Sequence, residues 1–175
     1  IVDGVNQHFK DIHHNPEVHN ITYENSQARE RTQILMDLSN AYNAIVVGTG
    51  DLSELALGWC TYNGDHMSMY AVNASVPKTL VRYIVESVAL KDEILHDVLM
   101  DICDTPVSPE LLPPDKNGKI AQKTEEVLGS YDLHDFFLYQ MLRHHDEPKK
   151  IYDLACVAFK DVEKETIKKA ITTFY

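Results

Sequence analysis

The sequence predicts an α/β fold that is predominantly helical, and three observations carry that expectation. Helical spacing from Asn25 to Tyr42 runs into AIVVG (44–48), an uninterrupted apolar stretch of the kind found in strands buried on both faces of a parallel sheet. A turn of Thr49, Gly50 and Asp51 then hands the strand to a second helical pattern, LSELALGW. Finally, the C-terminal part reads as three amphipathic helices in succession.

Taken in order, 1–23 carries His8, His13, His14 and His19 and reads as a partly helical lead-in followed by a loop. Pro16 breaks any helix that would align the HHNPEVH histidines, and no metal-ligand spacing repeats there. From Asn25, the residues Ala28, Ile34, Leu35, Leu38, Ala41 and Tyr42 recur at helical spacing, with Asn25 or Ser26 available as N-cap and Asn43 as terminator. After the strand, Leu52, Leu55, Ala56 and Trp59 mark one face of a helix. A glycine turn between a strand's carboxyl end and a helix start is where open α/β sheets bind ligands, and its backbone N–H groups favour anions.

The segment 67–72 alternates enough to be a second strand or an ordered loop. Pro77 suits a first helical position, and Leu80, Val81, Ile84, Val85 and Val88 form the apolar stripe of the helix behind it. The next helix places Ile94, Leu95, Val98, Leu99 and Ile102 inward. DTPVSPELLPPDKNG follows, with four of the seven prolines, as a long loop of a length commonly functional or disordered. Helices over 132–144, 148–159 and 162–174 complete the chain, with a hinge possible over 116–129. Ile1 in place of an initiator methionine, and a last helix without a terminating cap, suggest a fragment of a longer polypeptide.

The 175 residues suffice for one ordinary core, and 44% apolar with 25% charged residues is a globular balance. A net charge of −11 repels a phosphate backbone, which argues against nucleic acid as a partner. No apolar run approaches the ~20 residues needed to cross a bilayer, so no membrane role and a cytoplasmic location are expected. Cys60, Cys103 and Cys156 are odd in number and widely spaced, which reads as free thiols.

Four phrases resemble NAD synthetases in that family's order: TYENSQARERTQILMDLSN, VVGTGDLSELALGWCTYNGDHMSMYAVNASVPKTLVRY, DTPVSPELLPP and YDLHDFFLYQMLR. The resemblance is to the glutamine-dependent kind, whose chain also carries a glutaminase domain. It implies the doubly wound parallel sheet of the ATP pyrophosphatases, an adenine nucleotide alpha-hydrolase-like fold. In that frame 1–175 is the C-terminal part of the amidating domain, without the half that carries the SGGxDS phosphate loop and without the glutaminase domain. The implied reaction is ATP-dependent amidation of deamido-NAD to NAD through an adenylated nicotinate, with ammonia drawn from glutamine and Mg2+ beside ATP. A homo-oligomer is also implied.

Carried over by motif, Thr49 in GTGDLSE, Lys78 in VPKT and Ser108 in SPEL resemble residues that contact ATP. Glu54 matches the acid assigned to magnesium or to the deamido-NAD side, and it and Lys78 resemble the residues that carry the chemistry. Asn25 and Arg29 in ENSQAR, and Trp59, Cys60, Thr61 and Tyr62 in GWCTY, match deamido-NAD-contacting positions. Lys78, at a helix start, would aim its ammonium and nearby N–H groups at an anion. Two other readings stand beside this one: a non-catalytic dimerisation module, and a related ATP pyrophosphatase acting on another acceptor.

Overall fold

A computed structural model describes residues 1–105, 111 and 129–175. They divide into two units, 1–75 with Leu111, and 76–105 with 129–175.

In the first unit, α1 (Val2–Asp11) buries Val5 and Phe9 and packs along α2 (Ile21–Ala41). The Phe9 ring stacks on Tyr23 at 5.6 Å between centroids, with His14 5.0 Å from Phe9 and His19 4.6 Å from Tyr23. These histidines thus serve ring packing, and His14 Nε2 lies 3.1 Å from the Val18 carbonyl.

Helix α2 starts one turn earlier than its apolar spacing predicts. The Asn20 side chain accepts from the N–H groups of Thr22 and Tyr23 at 3.0 and 3.2 Å, and so satisfies two of the donors that a helix start leaves unpaired. Asn25 and Ser26 therefore lie inside the helix, with Ser26 buried. Asn43 ends the segment as expected, with left-handed backbone at φ 49°.

Strand β1 (Val47–Gly48) and strand β2 (Tyr70–Ala71) pair in parallel, Val47 opposite Tyr70 and Gly48 opposite Ala71. Helix α3 (Leu52–Leu57) lies between them in sequence, making a β-α-β crossover. The predicted strand exists, but the expectation of burial on both faces is corrected: Ile45 and Val47 are 64% and 52% exposed. An apolar run reports a strand fit for burial, while covering it takes neighbouring layers, and two short strands are all the sheet has among the described residues. Gly48 is required by close approach, because a Cβ there would sit 2.7 Å from Ser68 Cβ.

In the second unit, α4 (Lys78–Ala89) and α5 (His96–Asp104) pack as a pair. Arg82, held by Glu86 of its own helix at 2.8 Å, ties them at one end through the Cys103 carbonyl at 2.6 Å. Pro77, with φ −67° and ψ 155°, is the cap before α4 and not its first helical residue, since that ψ is extended. The stripe predicted to face inward is not covered, since Ile94, Leu95, Val98 and Ile102 are exposed and Leu99 is half-buried; in the α4 stripe Leu80, Ile84 and Val88 are exposed, Val81 and Val85 are half-buried, and Ala89 is the buried residue of that helix.

The core of this unit lies in α6 (Tyr131–Tyr139) with its π-helical continuation Gln140–His144, α7 (Pro148–Ala158) and α8 (Lys164–Phe174). Leu133, Phe137, Ile151, Ala155, Ile167, Ala170 and Ile171 close on one another there, and each large apolar side chain so buried contributes about 1.5–3 kcal/mol. Phe174 meets the Phe137 ring at 5.7 Å, nearly edge-on. These three helices match the predicted segments closely, because amphipathic period and a Pro148 start mark them locally. No helix among the described residues is long and apolar enough to cross a membrane.

Candidate functional site

The site grows from the carboxyl end of β1. Thr49 and Gly50 leave the strand, and Asp51, extended at φ −105° and ψ 173°, caps α3. Asp51 Oδ1 accepts the Glu54 N–H at 2.9 Å while Glu54 Oε2 accepts the Asp51 N–H at 3.1 Å, a reciprocal capping box. Glu54 is therefore held in the first turn of α3, half-buried, at the base of the strand-to-helix turn. Thr49 lies exposed in that turn.

Gly58 ends α3 with left-handed backbone at φ 66°, where a Cβ would meet nothing within 4 Å, so conformation and not crowding selects glycine. The helix therefore stops before Trp59, which the sequence places on its apolar face. Trp59 instead begins the following loop, half-buried, with its N–H donating to the Glu54 carbonyl at 2.9 Å.

That loop is fastened to α2 by the residues predicted as one group. Thr61 Oγ1 donates to Asn25 Oδ1 at 3.0 Å, and Arg29 Nε donates to the Tyr62 carbonyl at 3.0 Å. Within the loop, Asp65 accepts the Thr61 N–H at 2.7 Å and His66 Nδ1 lies 2.8 Å from the Thr61 carbonyl. The His66 ring stacks beside Tyr62 at 6.0 Å. Burial pushes the Cys60 thiol above its ordinary pKa, and the charges of Asp65 and Glu54 push the same way. From the PELLPP phrase, the Leu111 carbonyl accepts from Gln27 Nε2 on α2 at 3.1 Å.

In the second unit Lys78 opens α4, its Nζ 5.2 Å from the centroid of the Tyr131 ring. The expectation that the N–H groups beside it face an outside anion is corrected at Thr79: both its N–H and its hydroxyl donate to Asp135 Oδ2, at 2.9 and 2.7 Å. Ser108 and most of the proline-rich loop lie outside the described residues.

Two groups of residues escaped sequence reasoning. Asp51 stands three before Glu54, the spacing of a capping box, so a local signal existed. Asp135 and Tyr131 meet α4 across 56 and 53 residues of sequence, and no local pattern announces such pairings.

Among the described residues no group of three or more His, Cys, Asp or Glu could hold a metal on protein ligands alone. Magnesium bound with nucleotide phosphates needs only one or two protein carboxylates, so the donor chemistry of Glu54 fits such an ion.

A parallel β-α-β crossover places the chain among the α/β proteins. A family model described as NAD synthase matches residues 1–173, and the chain belongs to that family. Over 147 residues it is 46% identical to a protein of Mycobacterium leprae named glutamine-dependent NAD(+) synthetase, covering 82% of this chain and 22% of the relative. It is 35% identical over 134 residues to an NH(3)-dependent NAD(+) synthetase of Staphylothermus marinus, covering 76% of this chain and 43% of the relative. The fold is shared with the crystal structure of a glutamine-dependent NAD(+) synthetase from Cytophaga hutchinsonii, with a TM-score of 0.67 at 22% identity over 98% of this chain and 26% of that one.

Proposed function

We propose that this chain is the C-terminal part of the amidating domain of a cytoplasmic glutamine-dependent NAD synthetase, which converts deamido-NAD to NAD at the expense of ATP. The observation that carries this reading is the 46% identity with the mycobacterial glutamine-dependent enzyme over 82% of the chain. The chain spans 22% of that relative's length, so a phosphate-loop half and a glutaminase domain belong to the proposed whole. On this reading β1 and β2 are two strands of a doubly wound parallel sheet.

The chemistry assigns work to the residues in hand. The nicotinate carboxylate attacks the α-phosphorus of ATP, forming an acyl-adenylate and breaking the bond to pyrophosphate. Ammonia released from glutamine then attacks the acyl carbon, a C–N bond forms, AMP leaves and the nitrogen gives up a proton. Both steps concentrate negative charge, which preorganised cations and dipoles must meet. Lys78 serves the ATP phosphates and Thr49 contacts the nucleotide from the β1 turn. Glu54 would hold magnesium together with the phosphates, and the ion would supply charge neutralisation for the leaving pyrophosphate.

On the other substrate, the loop from Trp59 to Tyr62 lines the nicotinate, with Cys60 as an uncharged thiol. Asn25 and Arg29 fix that loop from α2, by the two hydrogen bonds at 3.0 Å, while facing the dinucleotide. Positioning of this kind supplies much of a two-substrate rate enhancement.

The intact protein, given deamido-NAD, ATP and ammonia or glutamine, is expected to release NAD, AMP and pyrophosphate in equal amounts. Absence of NAD, or cleavage of ATP to ADP and phosphate, would overturn the assignment.

A second reading, assembly of like subunits through this region, is favoured by one observation. The apolar side chains Leu80 and Ile84 on α4, and Val98 and Ile102 on α5, are exposed, and apolar surface of this kind is what subunit contacts cover. Sedimentation of the intact protein tests it, with a homodimer expected and a monomer at micromolar concentration refuting it.

A further inference from the structure

We propose that Tyr131 and Asp135 are positioning residues for Lys78, so that the first turns of α6 set where the Lys78 ammonium points. The inference rests on the reading of Lys78 as a ligand of ATP phosphates and adds to it the residues that aim it.

A helix start leaves several N–H donors without intrahelical partners. Pro77, the residue at the cap of α4, has no side-chain oxygen to offer them, and no side-chain cap bond forms there. Asp135 supplies the missing acceptor from a distant helix. Its Oδ2 takes the Thr79 N–H at 2.9 Å and the Thr79 hydroxyl at 2.7 Å. A carboxylate placed on a helix N-terminus is favoured by the dipole as well as by the bonds themselves. Asp135 is 7% exposed, so these bonds are made away from competing water.

Tyr131 lies four residues before Asp135 on the same helix, hence on the same face. Its ring, buried at 4% exposure, is 5.2 Å from Lys78 Nζ. Two neighbours on α6 thus hold two neighbours on α4: one fixes the backbone at Thr79, the other fixes the side chain at Lys78. A lysine ammonium is a point charge on a flexible four-carbon stem, and directing it onto a phosphate otherwise costs rotamer entropy. The ring reduces that cost by restricting the stem before the nucleotide arrives. Because Asp135 already holds the Thr79 N–H, the lysine side chain and not that amide is the anion ligand at this end of α4.

The test is steady-state kinetics of the intact protein, with ATP and deamido-NAD titrated separately. Tyr131→Leu is expected to raise KM for ATP fivefold or more and to leave KM for deamido-NAD within twofold. Tyr131→Phe, which keeps the ring, should stay within twofold for both. Thr79→Val, which removes one bond to Asp135, should raise KM for ATP at least threefold, and Thr79→Ser should restore it. In the double variant Lys78→Ala with Tyr131→Leu, KM for ATP should match that of Lys78→Ala alone. If Tyr131→Leu does not fold, Thr79→Val and Thr79→Ser decide.

The proposal is overturned if Tyr131→Leu and Thr79→Val leave KM for ATP within twofold, if both substrates' KM values rise together, or if the double variant shows both losses in full. An unchanged KM for ATP in Lys78→Ala would sink the ligand reading and this inference with it. A raised KM in Lys78→Ala with silent Tyr131→Leu and Thr79→Val would sink only the inference.

Discussion

Asp51 and Glu54 cap α3 on each other, the Glu54 N–H reaching Asp51 Oδ1 at 2.9 Å and the Asp51 N–H reaching Glu54 Oε2 at 3.1 Å. The residue proposed to hold magnesium is thus also part of the joint that shapes the turn, and removing it to alanine would confuse two effects. Glu54→Gln separates them, since an amide oxygen still accepts the Asp51 N–H but carries no charge. Turnover is expected to fall by two orders of magnitude or more while chemical denaturation shifts by less than about 0.5 kcal/mol. Asp51→Ala, which loses the cap from a buried position, should cost about 1–2 kcal/mol of stability.

Lys78→Ala in the intact protein is expected to lower kcat/KM for ATP by about a hundredfold, a change of about 2.7 kcal/mol in transition-state stabilisation. Lys78→Arg should recover only part of this, because a planar fork does not replace a compact ammonium. Initial rates at varied ATP give both numbers, and unchanged rates in Lys78→Ala would contradict the role.

Gly48→Ala tests the packing beneath the turn. The added Cβ would lie 2.7 Å from Ser68 Cβ, which is attached directly to backbone, so the β2 side must shift. A loss of about 1–3 kcal/mol is expected by urea titration. The double change Gly48→Ala with Ser68→Gly should recover most of it, and a failure to recover would place the strain elsewhere.

Cys60 offers a pH-dependent readout. Burial first, then the charges of Asp65 and Glu54, raise its pKa in the folded protein. A group with a raised folded pKa contributes stability that is complete below its unfolded value and is lost as pH rises through the folded one. Alkylation of Cys60, followed by peptide mass, should therefore be slower at neutral pH than in the unfolded chain and turn on at a higher pH. An inflection at or below the ordinary thiol value would contradict this.

The 175-residue chain by itself is expected to bind ATP weakly or not at all by calorimetry, since its sequence contains no SGGxDS phosphate loop. Micromolar affinity would show that ATP is held without that loop.

What the sequence made legible was what neighbours along the chain decide. The helices over 131–144, 148–158 and 164–174 announce themselves because each repeats its apolar residues at helical period, with Pro148 at a start. The β1 turn was legible for the same reason, as an apolar run followed by a glycine turn and renewed helical spacing, although the capping role of Asp51 was not. Asn20 was passed over because Ala28 to Tyr42 carry the period while the cap stands outside it, about two turns upstream. The exposure of Val47, Ile84 and Val98 was not legible, since apolar spacing records a face fit for burial and says nothing of what covers it. Nor was the bond from Thr79 to Asp135, which depends on two helices meeting. The site divides likewise: Asn25, Arg29, Thr61 and Tyr62 were named from family phrases, while their hydrogen bonds to one another, like the roles of Asp135 and Tyr131, needed coordinates.

The most direct test of the account isolates the adenylation step. With deamido-NAD and ATP present and ammonia and glutamine withheld, labelled pyrophosphate should exchange into ATP in the intact protein, and only when deamido-NAD is present. Exchange should fall by two orders of magnitude or more in both Lys78→Ala and Glu54→Gln. Exchange at the unaltered rate in both variants, or exchange that does not need deamido-NAD, would contradict the assignment of this turn and this lysine to the chemistry.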